Sequence, residues 1–195
     1  MAFVEKLLYR AFGMPTGMLG RFGGRIMAGR RQLEIAMRVA EQIGVRPGDK
    51  ILEVGFGPGV AVQHVHERLG GDGFVVGIDP SDVMLEMAKT RNADAVARGT
   101  VVLREGTVTQ IPYGDEFFDK VYAMNSFHLW PDKPAGLREV RRVLKPGGRL
   151  ALSFFGPARK AVTPESVREQ LKEAGFSEIT ETIDGDSVLF VLARK

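Results

Sequence analysis

A glycine-rich segment, Glu53-Val54-Gly55-Phe56-Gly57-Pro58-Gly59, carries the clearest chemical signal in the sequence. It follows a strand-like apolar stretch, Ile51 to Val54, and precedes a helical pattern from Val60 to Leu69. Closely spaced glycines let the backbone turn tightly and approach a ligand without Cβ atoms in the way. In an open α/β sheet, ligands bind at such turns, beyond the carboxyl ends of the strands. The segment therefore predicts a ligand-binding loop, with a purely structural turn as the alternative.

The residues of the loop favour a ligand with a positively charged head. The dinucleotide pattern G-x-G-x-x-G is not matched, because Val60 stands where its third glycine would be. Glu53 would repel a pyrophosphate at the helix N-terminus, whereas its carboxylate suits a cation. The sequence also has no Gly-Lys-Ser/Thr, which excludes a P-loop.

A second acid, Asp79, ends the next apolar stretch, 24 residues after Gly55. An acid at this position is placed to accept hydrogen bonds from both hydroxyls of a ribose. A helix cap is the alternative role, but Ser81 already fills it. A ribose-bearing nucleoside with a cationic head and no phosphates describes S-adenosylmethionine.

Strand-like and helical patterns alternate from residue 50 onward, which predicts a parallel sheet with helices on both faces. Predicted strands cover 51–54, 74–78, 100–103, 118–124, 149–155, 178–183 and 187–193. The last two are joined by a tight turn at Asp184-Gly185-Asp186, so they must pair antiparallel. We expect an α/β, three-layer Rossmann-like sandwich with a seven-stranded, mostly parallel sheet and a C-terminal antiparallel hairpin.

Composition restricts the class of protein. Of 195 residues, 44% are hydrophobic and none is cysteine, which excludes disulfides, thiolate nucleophiles and cysteine-ligated metals. The longest apolar stretches are strand-sized, and Glu5 and Lys6 interrupt any secretory signal. We expect a cytoplasmic protein.

Several motifs in order resemble class I S-adenosylmethionine-dependent methyltransferases, in the type 11 group that includes ubiquinone/menaquinone-biosynthesis methyltransferases. They are residues 51–59, Asp79, the run Ile111-Pro112-Tyr113-x-x-x-x-Phe118-Asp119, and Leu137-Arg138-Glu139-Val140-x-x-Val143-Leu144-Lys145-Pro146-Gly147-Gly148. The resemblance covers about residues 45–155. It implies methyl transfer from S-adenosylmethionine, with S-adenosylhomocysteine as the product. Alternatives are a non-catalytic S-adenosylmethionine sensor or accessory protein, an RNA methyltransferase and an NAD-dependent reductase.

The resemblance also implies roles for individual residues. The loop glycines would contact the methionine moiety, Glu53 its ammonium group directly or through water, and Asp79 the ribose. Family members usually carry Gly-Asp-Ala after the third strand, but here Gly106-Thr107-Val108 stands instead, without a carboxylate for the adenine. The predicted cofactor-binding residues are Glu53, Gly55, Phe56, Gly57, Gly59, Asp79, Pro80, Val83, Met84, Gly106, Thr107, Val108 and Asn125.

Catalysis would take place after the fourth strand, near His128 and Trp130. His128 is a candidate general base, with a purely structural histidine as the alternative. His64 and His66 are two residues apart on a helix and face different ways, so no metal is predicted.

The basic residues are concentrated at the N-terminus. Residues 1–38 have a net charge of +5, whereas residues 39–195 carry 20 basic and 22 acidic residues. We therefore divide the chain into a basic, Gly- and Met-rich segment (1–38) and a catalytic domain (39–195). Residues 1–30 are predicted to form a lid over a small apolar or anionic acceptor. A contact with an anionic membrane and a packed helix with solvated arginines are alternatives, and nucleic acid binding is disfavoured. The predicted acceptor-binding residues are Tyr9, Phe12, Met18, Phe22, His128 and Trp130.

Overall fold

The computed structural model describes residues 17–71, 73–184 and 188–195. The helices are α1 (Gly17–Met27), α2 (Arg30–Ile43), α3 (Val60–Leu69), α4 (Asp82–Arg91), α5 (Ala93–Ala97), α6 (Lys133–Val143), α7 (Pro157–Ala161) and α8 (Pro164–Glu173), with a 3₁₀ turn at Phe127–Leu129. The strands are β1 (Lys50–Val54), β2 (Phe74–Asp79), β3 (Val101–Glu105), β4 (Phe118–Met124), β5 (Leu144–Phe155), β6 (Ser177–Asp184) and β7 (Val188–Arg194).

The seven strands form one sheet in the order β3-β2-β1-β4-β5-β7-β6. The pairs from β3 to β5 are parallel, and β7 pairs antiparallel with both β5 and β6. The predicted sheet and its C-terminal hairpin are therefore confirmed. Residues 185–187, which include most of the predicted turn, lie outside the described residues.

Both faces of the sheet are buried, since alternate residues of the central strands belong to two different cores. Leu52, Val121 and Leu152 pack on one side with α6 and α8. Ile51 and Tyr122 pack on the other side with α2, α3 and α4. This three-layer arrangement brings the carboxyl ends of β1 to β5 to a common edge, where the predicted site residues follow the strands.

The helix cap predicted at Ser81 is present, and Thr163 forms a second one. The Ser81 hydroxyl accepts a hydrogen bond from the backbone N–H of Met84, and Thr163 does the same for Ser166. The N-cap Asp132 precedes α6, which has Pro134 in its first turn. These local signals fix where α4, α6 and α8 begin.

Strand β5 begins five residues earlier than predicted, at Leu144 rather than Arg149. Residues 145–148 contain a proline and two glycines, which locally favour a turn. Leu144 pairs with Phe118 and Arg149 pairs with Lys120, so the extra residues form an irregularity between two paired positions. Gly147 adopts a φ of 71° there, and its N–H donates to the Lys195 carbonyl. The contacts of Lys195 thus keep residues 145–148 within the strand, although their sequence locally favours a turn.

Helices α1 and α2 lie on the same side of the sheet as α3, α4 and α5. Helix α1 packs on α4, where Gly24 lies against Met84 and Met87. The predicted boundary between residues 38 and 39 falls inside α2. Among the helices of the described ranges, none is long and apolar enough to cross a membrane.

Candidate functional site

The glycine loop between β1 and α3 is held in a conformation that glycine favours. Gly55, Gly57 and Gly59 have φ values of 76°, 51° and 77°. These left-handed values strain any other residue, so the three glycines are required by the turn itself. The Gly55 N–H donates to the Ile78 carbonyl (2.7 Å), which ties the loop to β2.

The surroundings of the three glycines differ. A Cβ on Gly55 would lie 2.5 Å from the Ser126 Cβ, and one on Gly59 would lie 2.9 Å from the Ala88 Cα. Both glycines are therefore closely packed against protein. A Cβ on Gly57 would meet nothing within 4 Å. Gly57 is thus the point where the loop offers bare backbone to a ligand.

Asp79 connects the loop to the end of β2. One carboxylate oxygen accepts the Gly57 N–H and the other accepts the Ser81 N–H, both at 2.9 Å. Burial raises the pKa of Asp79, although these two amide hydrogen bonds act to lower it. The sequence predicted both Gly57 and Asp79, and the structure brings them into direct contact.

Glu53 lies beneath the loop and is completely buried. Its Oε2 accepts the Tyr122 hydroxyl at 2.8 Å, while its Oε1 is buried without a hydrogen-bond partner. Burial and the nearby Asp79 raise the pKa of Glu53 well above its usual range, against the effect of the Tyr122 hydrogen bond. A carboxyl group with one unpartnered oxygen, next to a second buried acid, favours a cation and disfavours a phosphate.

We predict that Glu53→Gln stabilises the ligand-free protein at pH values above the raised pKa of the Glu53 carboxyl. Glu53 is protonated at higher pH in the folded protein than in the unfolded chain, whose glutamates titrate near 4.5. Unfolding therefore releases a proton between these two pKa values, and the free energy of unfolding falls as pH rises through that window. Glutamine does not titrate, so the Glu53→Gln protein keeps its free energy of unfolding where that of the wild type falls. We expect the variant to be the more stable protein at pH values above the window.

Urea unfolding of both proteins across a pH series measures this difference. The two stabilities should converge in acid and diverge as pH rises, whereas the exposed Glu173→Gln control should parallel the wild type. A Glu53→Gln protein that is less stable than the wild type at every pH would contradict the assignment of a buried, neutral carboxyl.

The segment after β4 forms the opposite wall of the site. The Ser126 hydroxyl donates to the Val54 carbonyl, which fixes the segment against the glycine loop. Asn125 has a φ of 54°, and its Oδ1 accepts the Phe155 N–H at 3.0 Å. This contact joins the ends of β4 and β5, so the Asn125 side chain has a structural role beside its predicted contact with the cofactor.

His128 lies in the 3₁₀ turn and is partly buried, with its Nδ1 buried and without a partner. Burial and the neighbouring Lys133 lower its pKa, so the imidazole is neutral at physiological pH. Trp130 is 6% exposed, its ring packs on Phe127 with centroids 4.9 Å apart, and its Nε1 has no partner. A neutral imidazole is the form that can accept a proton.

Other predicted cofactor residues lie largely in the core. Phe56, Val83, Met84 and Val108 are between 1% and 7% exposed. Val108 packs in the core on the α6 side of the sheet, and Phe56 packs over Gly77, where a Cβ would lie 2.6 Å from its ring. Any contact of Phe56 or Val108 with a ligand would therefore be made by the backbone.

The remaining predicted residues are more open to solvent. Gly106 donates its N–H to the Asp79 carbonyl at 3.1 Å, which places the β3 end beside the site. Thr107 is exposed and its hydroxyl is 3.2 Å from that of Thr109, and Pro80 is also exposed. Met18 and Phe22 are exposed on α1. Tyr9 and Phe12 lie outside the described residues.

Three residues that support the site were not predicted. Tyr122 binds Glu53, and Ser126 binds the end of β1. Asn92 donates to the carbonyls of Gly59 and Ala88, at 3.2 and 2.8 Å, and so joins the loop to α4. Tyr122 lies on β4, and β1–β4 pairing sets it opposite Glu53, a register for which the sequence carries no signal.

Comparison with known proteins identifies the domain. Residues 52–152 match the family model described as "Methyltransferase domain". The chain is 35% identical over 163 residues to the Uncharacterized methyltransferase YdaC of Bacillus subtilis (strain 168), covering 80% of this chain and 86% of that protein. It is 35% identical over 115 residues to a Ubiquinone/menaquinone biosynthesis C-methyltransferase UbiE of Idiomarina loihiensis, covering 58% of this chain. That match spans 46% of the UbiE protein.

Solved structures show the same fold. A SAM dependent methyltransferase from Aquifex aeolicus superposes with a TM-score of 0.79 at 24% identity, covering 88% of this chain and 96% of that one. The architecture of the sheet is therefore one that solved proteins share.

Proposed function

Since this chain belongs to the methyltransferase-domain family, we propose that it transfers the methyl group of S-adenosylmethionine to a small apolar or anionic acceptor. The observation that carries the proposal is the arrangement of Gly57, Asp79 and Glu53: open backbone, a carboxylate bonded to that backbone and a buried acid at one edge of the sheet. Fold alone would not assign a function, but these groups match the parts of this cofactor.

The residues fit S-adenosylmethionine part by part. Each carboxylate oxygen of Asp79 keeps capacity for a further hydrogen bond, which suits the two ribose hydroxyls. The unpartnered oxygen of Glu53 would stabilise the positive charge of the ammonium group. Glu53 has no exposed surface, so this interaction would pass through an intervening group. Two buried acids beside the α3 N-terminus disfavour a dinucleotide pyrophosphate.

The chemistry asks little of the protein beyond positioning. When bound, S-adenosylmethionine supplies a methyl group on a sulfonium that leaves readily, so alignment of the acceptor with that group carries much of the rate. The neutral His128 would take a proton from an O–H or N–H acceptor. Trp130 would form part of the wall that excludes water from the acceptor.

We predict that His128→Ala lowers the rate of methyl transfer by about 100-fold, the usual size of a general-base contribution. The affinity for S-adenosylmethionine should not change, because the contacts of Asp79 and Gly57 remain. Single-turnover transfer and calorimetry on the same preparation separate the two effects. His66→Ala is the matched control, since His66 bonds Thr100 on another part of the fold.

The pH profile tests this role independently of folding. Since a base must be neutral to act and the pKa of His128 lies below its ordinary 6.5, the rate should rise through mildly acidic pH and become constant near neutrality. His128→Ala should abolish that rise. An unchanged rate and an unchanged profile would remove His128 from the mechanism.

A methyl-transfer screen tests the proposed function. Protein would be incubated with S-adenosylmethionine labelled in the methyl group, together with quinols, phenols, amines or thiols. Transfer of label with stoichiometric release of S-adenosylhomocysteine supports the proposal. Binding of the cofactor without transfer to any class would favour a sensor or accessory protein, an alternative that the exposed, uncharged Thr107 also favours.

The lid is proposed for residues 1–30, of which the structure describes the part from Gly17. Helix α1 packs on α4, whose first turn carries Val83 and Met84, two of the predicted cofactor-binding residues. This contact supports a position for the segment beside the cofactor cleft.

A further inference from the structure

Helix α1 packs its small residues inward. Gly20, Gly23 and Gly24 are buried. A Cβ on Gly24 would lie 2.6 Å from the Met87 Sδ and 2.8 Å from the Met84 Cε. The glycines thus allow a close approach of the α1 backbone to α4.

The opposite face of α1 carries large apolar side chains in solvent. Met18 is 89% exposed and Phe22 is 64% exposed. They are four residues apart and therefore lie on the same face of the helix. Soluble domains rarely expose large apolar groups together unless the surface binds something. Met18 and Phe22 therefore form an exposed apolar pair on a helix whose buried glycines face the domain.

The charge around this pair is positive. Residues 17–33 contain four arginines and no acid. Arg21 pairs with Glu86 at 2.6 Å and Arg30 pairs with Glu34 at 3.4 Å. Within the part of the chain that the structure describes, Arg25 and Arg31 form no ion pair, and both are exposed. Arg25 is three residues from Phe22, one turn along the helix.

We propose that the outer face of α1 docks on an anionic lipid bilayer. Met18 and Phe22 would enter the interface between headgroups and acyl chains, and Arg25 and Arg31 would contact the anionic headgroups. Arg25 lies on α1 beside Phe22, and Arg31 lies at the start of α2, so the cations flank the apolar pair. Neighbouring apolar and cationic side chains are what this interface binds. An RNA would match the arginines but leave the apolar pair without a role.

The charge of the rest of the chain is consistent with membrane contact through the N-terminal helices alone. Residues 39–195 have a net charge of −2, so an anionic surface would not attract the catalytic domain. Helix α1 spans roughly 16 Å at 1.5 Å per residue, and a helix of that length binds weakly. The apolar and electrostatic contributions are then both needed, as with other two-signal membrane contacts.

Cosedimentation of the full chain with vesicles tests the proposal, without S-adenosylmethionine, so that the result does not depend on methyl transfer. Vesicles would contain phosphatidylcholine alone or phosphatidylcholine mixed with phosphatidylserine. Binding should require phosphatidylserine. Met18→Ser/Phe22→Ser and Arg25→Gln/Arg31→Gln should each weaken binding by roughly tenfold or more. Ile183→Ser and Lys160→Gln/Lys172→Gln are matched controls at exposed positions elsewhere and should bind as the wild type does.

A second measurement does not rely on loss of binding. Phe22→Trp should show a blue-shifted emission when phosphatidylserine vesicles are added, whereas the buried Trp130 of the wild type should not respond. The proposal is overturned if the wild type does not bind phosphatidylserine vesicles. It is also overturned if the Met18→Ser/Phe22→Ser and Arg25→Gln/Arg31→Gln variants bind them as the wild type does. Binding of RNA without binding of vesicles would also overturn it. So would self-association of the protein through Met18 and Phe22 without binding of vesicles.

Discussion

Replacing Asp79 by asparagine is expected to weaken binding of S-adenosylmethionine by at least about 100-fold, since two hydrogen bonds to a charged group are each worth about 1.5–3 kcal/mol. Asparagine has nearly the same shape but presents one acceptor oxygen instead of two. It cannot accept from Gly57, from Ser81 and from both ribose hydroxyls, as the carboxylate can. The loss should be in affinity, measured by isothermal titration calorimetry.

Asp94→Asn is the matched control, because Asp94 is exposed and lies in α5, away from the glycine loop. It should bind as the wild type does. Thermal unfolding of both variants shows whether the loop has also been disturbed. Unchanged affinity in a folded Asp79→Asn protein would contradict the proposed ribose contact.

Substitution by alanine should affect Gly57 and Gly59 differently. Gly57→Ala adds a methyl group into open space at a φ of 51°, so its folding cost should be about 1 kcal/mol, the cost of the left-handed conformation. The same methyl group would occupy the surface offered to the cofactor, and binding should fall by roughly 30-fold or more, a cost similar to that of overpacking a filled site. This variant should therefore be folded but deficient in binding.

Gly59→Ala should behave in the opposite way. Its methyl group would lie 2.8 Å from the Ala88 Cβ and 2.9 Å from the Ala88 Cα, at a φ of 77°. Strain and overpacking together should cost about 2–4 kcal/mol. For a chain of this size, each kcal/mol lowers the melting temperature by roughly 2–4 °C. Equal stability of the two variants, measured by circular dichroism, would contradict the packing described for the loop.

Elements with strong local signals could be predicted from the sequence. Ser81 and Thr163 cap helices through their own hydroxyls, and the apolar stretch from Phe118 to Met124 is a strand at those bounds. The start of β5 could not be predicted, because Gly147 and Gly148 favour a turn locally and pair with Lys195 from the far end of the chain.

The site residues also divide into those that the sequence predicts and those that it does not. The glycines and Asp79 carry a recognisable spacing, but the partners that hold them come from distant parts of the sequence. Tyr122 lies 69 residues from Glu53, and Ser126 lies 72 residues from Val54. Such contacts follow from strand register, which the spacing of residues along the chain does not reveal.

Helix α1 shows a further limit of pattern analysis. The sequence predicts that Met18 and Phe22 contact the acceptor, whereas α1 exposes both residues and buries three of its glycines. The buried partner of α1 is a pair of methionines on α4, and flexible thioether side chains pack well on bare backbone. Glycine content alone gave no indication of which face would be inside.

Calorimetric titration of the full chain with S-adenosylmethionine, S-adenosylhomocysteine and NADH tests the central claim most directly. We predict that both sulfur nucleosides bind at one site per chain, that Asp79→Asn weakens both, and that NADH does not bind. Binding of NADH with no binding of either sulfur nucleoside would contradict the account of the glycine loop, Asp79 and Glu53.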